Sequence, residues 1–105
     1  PQEIRSCNTA WLAFPILIKD DAPFTRKEFQ IFLEKRNIQT RVVFTGNILR
    51  QPMCQNISKK VLEEGYPNAD RVMARGVLLP LHHGMTESMF NRLHATIDRF
   101  IEQYD

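Results

Sequence analysis

The chain has 105 residues, 43% of them hydrophobic and 25% charged, a balance that fits a folded globular domain and excludes a mainly disordered one. One core suffices at this length, so residues 1–105 read as a single domain. Fourteen Lys and Arg lie among twelve Asp and Glu, giving a formal charge of +2 and a pI near 8.8; basic groups so interspersed do not build the concentrated patch that nucleic-acid binding needs.

The chain opens on Pro1-Gln2-Glu3 without a Met, soon reaches a strand and ends on a well-formed helix, the pattern expected of a piece of something longer. Ala10 to Lys19 reads as the first strand, with Trp11, Phe14, Ile16, Leu17 and Ile18 supplying bulk. Pro15 cannot donate to a ladder and marks it as an edge or bulged strand. Its apolar run, Ala10 to Ile18, is about half of what a helix needs to cross a bilayer, and no cleavable leader precedes it. The expected location is therefore the cytosol, with no membrane partner. There Cys7 and Cys54 are expected as reduced thiols.

After a turn at Asp20–Pro23, Thr25 and Glu28 form a capping box, with Phe24 and Phe29 at hydrophobic-staple positions. Phe29, Phe32 and Leu33 share one face of a helix that runs to about Arg36, and Asn37 ends it in a left-handed conformation. Arg41 to Thr45 forms a second, buried strand, after which Gly46 permits a backbone that other residues resist. Pro52 stops any regular element soon afterwards. Between these two points stand Asn47, Arg50 and Gln51, forked hydrogen-bonding groups on a segment pinned at both ends and suited to hold an anion or a sugar. Asn47 to Tyr66 has no clean period apart from a helical turn from Ile57 to Glu64 ended by Gly65, and a connection of this length usually has a task.

A short helix, Ala69 to Arg75, follows with a stripe of Ala69, Val72 and Met73 and with Gly76 as its stop. Val77 to Leu81 is the third strand. Thr86 caps the last helix, whose core face recurs at Met89, Phe90, Leu93, Ile97, Phe100, Ile101 and Tyr104. Three short strands with so few helices predict an α/β chain of the α+β type, a small and mainly antiparallel sheet with its helices on one side.

The chemistry is that of binding. His82 and His83 point to opposite faces of an extended chain, His94 lies on the last helix, and no cysteine spacing matches a metal site. No phosphate-cradling glycine run occurs. Among the basic residues near the irregular segment, Lys59, Lys60 and Arg75 read as a solvated face. Arg41, opening a strand, and Arg50, in the pinned loop, can each offer a bidentate fork to phosphate or carboxylate.

TRVVFTGNILRQP (40–52), followed by YPNADRVMARGVLLPLHHGMT (66–86) and an amphipathic last helix, resembles the C-terminal small domain of the sugar-nucleotide aminotransferase class (DegT/DnrJ/StrS) of pyridoxal-phosphate enzymes. The helix and lead-in FTRKEFQIFLEKRNIQTR (24–41) fits the same pattern, so the resemblance covers roughly residues 10 to 104. It implies the fold of the small domain of aspartate-aminotransferase-like enzymes. It further implies a large domain that carries the cofactor on a lysine, or a histidine in a dehydratase branch. The implied substrate is a nucleotide-linked keto-sugar, undergoing amino transfer or 3-dehydration in polysaccharide or deoxy- and amino-sugar biosynthesis, in an enzyme expected to be a homodimer. On that resemblance Arg41, Asn47, Arg50 and Gln51 are the substrate-binding candidates, with no catalytic residue among them. The rival reading, a stand-alone nucleic-acid or ligand-binding module, lacks a platform of exposed aromatics beside basic residues, since Trp11 and Phe44 read as core.

Overall fold

The computed structural model describes residues 6–105, and the opening Pro1-Gln2-Glu3 lies outside them. Three antiparallel strands form one sheet in the order β1-β3-β2: β1 is Phe14–Leu17, β2 is Arg41–Val42 and β3 is Gly76–Leu79. The helices are α1 (Arg26–Glu34), α2 (Pro67–Arg75) and α3 (Glu87–Ile101). This is the α+β domain expected from the sequence.

The strands are shorter than the apolar runs that announce them, because β3 offers only four residues to pair. Phe14 faces Leu79 and Leu17 faces Gly76, so the run from Ala10 to Ala13 has no ladder to join. β1 is an edge strand, which accommodates Pro15. β3 stops before Pro80, whose nitrogen has no hydrogen to donate. The second strand departs most from expectation. Only Arg41 and Val42 pair, opposite Leu78 and Val77, after which the chain bends away. It is an exposed edge rather than a buried strand: Phe44 is 85% exposed, not core, and Trp11 is half-buried.

The core lies on one face of the sheet. Ile18, Val77 and Leu79 meet Phe29 and Leu33 of α1, Ile38, and Leu93 and Phe100 of α3. Helices α1 and α3 begin as read: Thr25 and Glu28 form the reciprocal capping box, and the Thr86 side chain accepts from the Met89 amide. Phe24 and Phe29 stack with ring centroids 6.2 Å apart, which closes the staple. Asn37 takes the left-handed conformation, φ 57°. On α3 the buried face is narrower than its apolar stripe: Met89 and Ile101 remain more than a third exposed, and the helix ends at Ile101, so Tyr104, also more than a third exposed, lies beyond it.

α2 starts earlier than read, because Pro67 occupies its first turn, a position where the missing N–H costs nothing. It runs straight into β3 at Gly76, which is extended (φ −75°, ψ 134°). Glycine is needed there for space, since a Cβ would come within 2.6 Å of the Val72 carbonyl oxygen and 2.9 Å of Val43. Arg71 and Arg75 tie this helix to Asp20 at 2.8 and 3.0 Å, and Arg75 also donates to the Lys19 and Asp20 carbonyls. Arg75 is thus a half-buried brace between α2 and the first turn, not a solvated cation.

Candidate functional site

Thr40 sets the entry to the polar loop. It is buried, its amide and hydroxyl donate to Glu34 Oε1 at 2.6 and 2.9 Å, and its hydroxyl accepts from Gln30. Four residues past β2 the backbone turns at Gly46 with φ +66°. A Cβ there would fall 2.5 Å from Met73 Cβ, so glycine supplies both the turn and the close approach that seats the loop on α2. Two 3₁₀ turns follow, Ile48–Arg50 and Pro52–Cys54. Pro52 therefore opens a tight turn rather than only ending one. The helical turn read from Ile57 to Glu64 does not form: its one hydrogen-bonded turn, from the Gly65 amide to the Leu62 carbonyl, is closed by Gly65 at φ +69°.

The loop's polar side chains are organised by an acid that sequence reasoning missed. Asp70, in the first turn of α2, accepts from Arg50 Nε at 3.0 Å and Nη2 at 2.9 Å in a two-pronged ion pair. The same carboxylate accepts from Asn47 Nδ2 at 2.8 Å. Asn47 is only 5% exposed; its Oδ1 accepts from the Leu49 amide and caps the first 3₁₀ turn. Gln51 instead donates back to the Thr45 carbonyl at 3.0 Å. The available signal for Asp70 was an acid in the first turn of a helix opened by proline, where the dipole favours it. Nothing in its spacing pointed to Arg50.

Asn47, Arg50 and Asp70 line a cavity of about 390 Å³ with Lys59 and Tyr66. Arg41 and Gln51 do not line it: Arg41 stands exposed on the sheet edge, and Gln51 holds the loop's own backbone. Of the four candidates, the structure thus brings two together. Lys59 is more than a solvated face, because its ammonium donates to the Cys54 carbonyl at the end of the second 3₁₀ turn. Lys60 remains simply exposed.

Hydrogen bonds from Arg50 and then Asn47, with the Arg50 charge beside them, hold the Asp70 carboxyl well below the usual carboxylate range, at about 2, while Asp70 raises the Arg50 guanidinium. A carboxyl depressed on folding stabilises the fold above its unfolded pKa, and that contribution is lost as pH falls through the folded value. The tether should therefore be complete above about pH 4 and released towards pH 2. NMR of the Asn47 side-chain amide and the Arg50 Nε–H checks this; signals that move near pH 4 would mean that the Asp70 carboxyl keeps its ordinary pKa and that the bonds to Arg50 and Asn47 do not depress it.

The arrangement offers hydrogen-bonding groups suited to holding a polar ligand. Among the described residues no group of three His, Cys, Asp or Glu side chains is placed to hold a metal ion, and no helix is long and apolar enough to cross a membrane. Cys54, which ends the second 3₁₀ turn, is buried, and Cys7 is exposed.

The model of the DegT/DnrJ/EryC1/StrS aminotransferase family matches residues 1–98. The lipopolysaccharide biosynthesis protein RfbH of Salmonella typhimurium is 29% identical over 100 residues, 95% of this chain and 23% of that protein. The dTDP-4-dehydro-2,6-dideoxy-D-glucose 3-dehydratase of Saccharopolyspora spinosa is 35% identical over 92 residues, 88% of this chain and 20% of the enzyme. Among solved structures, E. coli GDP-4-keto-6-deoxy-D-mannose-3-dehydratase with bound hydrated PLP shares the fold, with a TM-score of 0.73 at 22% identity over 82% of this chain and 22% of that one. The chain thus spans less than a quarter of the length of these relatives. It belongs to the DegT/DnrJ/EryC1/StrS aminotransferase family.

Proposed function

We propose that this chain is the small, substrate-facing domain of a longer pyridoxal-phosphate enzyme that acts on a nucleotide-linked keto-sugar. The single observation that carries this reading is the family match over residues 1–98, and the Asn47–Arg50–Asp70 cluster beside a cavity supplies the local chemistry for holding such a ligand. The dehydratase names of one curated relative and of the solved neighbour favour removal of the sugar 3-hydroxyl over amino transfer.

The described residues do not fit the cofactor's anchor. A lysine that forms a Schiff base is activated by desolvation or neighbouring charge, whereas Lys19, Lys27, Lys35, Lys59 and Lys60 are all exposed. The anchoring lysine or histidine belongs to a large domain beyond these residues, and the cofactor provides the electron sink there. What this chain contributes is a held arginine edge and a surface to be covered. Val42, Phe44, Ile48, Met53, Ile57, Val61 and Leu62 are apolar residues exposed along one segment around the loop, as expected where a large domain or the second subunit of a homodimer closes over substrate.

Adding pyridoxal phosphate to this chain should give no saturable, site-specific absorbance band, while the longer enzyme should give one. A band in the short chain that disappears on changing one lysine would overturn the reading. Incubating the longer enzyme with pyridoxal phosphate, glutamate as amino donor and GDP-linked or dTDP-linked 4-keto-6-deoxyhexose, and analysing the product by mass spectrometry, separates the branches: loss of the 3-hydroxyl oxygen with release of ammonia supports dehydration, and gain of nitrogen by the sugar supports transfer. Neither change in either compound would sink the proposed substrate class.

A further inference from the structure

Building on the reading of the polar loop as substrate-facing, we propose that Asp70 is a positioning residue: it grips one edge of the Arg50 guanidinium and thereby aims the remaining N–H groups at the oxygen acceptors of a nucleotide sugar. A guanidinium carries five N–H donors in a fixed plane. Asp70 engages Nε and Nη2, which leaves Nη1 and the outer hydrogen of Nη2 in a side chain that is 64% exposed.

The grip is itself held. The Leu49 amide occupies Asn47 Oδ1, so the buried Asn47 can turn only its Nδ2 towards Asp70, at 2.8 Å. Asp70 stands on α2, which Arg71 and Arg75 fasten to Asp20 and which Arg26 fastens through the Met73 carbonyl at 2.6 Å. A side chain on a short 3₁₀ turn thus gains the rigidity of a braced helix. Its rotamer freedom is given up in the free protein, so ligand binding does not incur that cost. The ion pair also cancels net charge at the loop, so the free edge reads the direction of acceptor lone pairs more than total negative charge.

The test measures Kd of the longer enzyme for GDP-linked and dTDP-linked 4-keto-6-deoxyhexose by calorimetry, using the tighter ligand thereafter. Asp70→Asn, which keeps the size and one acceptor oxygen, should weaken binding roughly tenfold, in line with one charge-assisted hydrogen bond. Arg50→Ala should weaken it at least as much, and the double variant no further than Arg50→Ala alone. Asp70→Glu, which retains the charge but displaces the fork, is the second variant and should show a smaller loss of the same non-additive kind. A merely structural role would make the Asp70 loss multiply with that of Arg50→Ala, and this would overturn the inference. If Arg50→Ala weakens binding while both Asp70 variants bind normally, the inference falls and the substrate-facing loop stands. If Arg50→Ala changes nothing, or neither ligand binds, both fall together.

Discussion

Truncating Phe100 to Ala should lower the stability of the domain by about 3–5 kcal/mol, the cost of removing a fully buried aromatic ring and leaving a cavity. The ring is 2% exposed and is the hub of the aromatic cluster: Phe24, Phe29, Phe32 and Tyr104 lie 4.7, 5.2, 5.1 and 5.3 Å from its centroid. The first three of these residues come from α1 and its lead-in, so the ring joins α3 to α1. Collapse cannot close the gap cheaply, because Leu33 and Val77, at 0% exposure, already fill the adjoining core. With total stabilities of about 5–15 kcal/mol, a loss of this size should shift the thermal midpoint by roughly 12 °C or more. Thermal or denaturant unfolding of the chain measures it. A loss below about 1 kcal/mol, the size of an ordinary surface change, would mean that α3 is held by other contacts and that Phe100 is not the hub.

The parts of the fold legible in the sequence are those specified by local chemistry. Thr25 with Glu28, Thr86 with its following turn, and Asn37 at a helix end each satisfy backbone groups within a few residues, so their pattern survives in the fold. The strands were less legible because their length depends on a partner. Ala10 to Lys19 has strand character throughout, yet only the four residues opposite β3 become strand. Val43 and Phe44 have strong β propensity but no neighbour to pair with, and Phe44 is left in the open. Propensity states what a residue tolerates, while register decides what it does.

The site divides in the same way. Gly46, Asn47 and Arg50 could be singled out because a glycine with forked polar groups behind it is a local signature, and φ +66° with the contact to Met73 gives that signature its physical cause. Asp70 lies twenty residues from Arg50 and touches it only because Pro67 starts α2 just where the loop is seated. No period or spacing encodes that encounter. Lys59 and Arg75 were misjudged for a related reason: their long stems reach backbone carbonyls, Cys54 for one and Lys19 for the other, and a composition-based reading counts charge without seeing such acceptors.

In the longer enzyme, Arg50→Ala should reduce kcat/KM for the sugar-nucleotide roughly ten- to a hundredfold, since a charge-assisted hydrogen bond to a ligand is worth about 1.5–3 kcal/mol. Stability should change little, because the arginine is 64% exposed, and the attraction in an exposed ion pair is screened by solvent and offset by the ordering of two side chains. Asn47 would still bond Asp70 and cap the 3₁₀ turn, so the loop keeps its seat on α2. Lys59 is not a neutral comparison, since its ammonium holds the Cys54 carbonyl; Lys60, exposed on the same segment, serves instead. Lys60→Ala should leave kcat/KM within about twofold of the unsubstituted enzyme, the scatter expected of a surface change. Steady-state kinetics beside thermal unfolding separates the cases. Equal and negligible effects of both substitutions, with unchanged midpoints, would remove the polar loop from the substrate site. A fall in kcat/KM matched by a large fall in midpoint would mean instead that Arg50 serves the fold, and that its bond to Asp70 fastens the loop without aiming a donor at substrate.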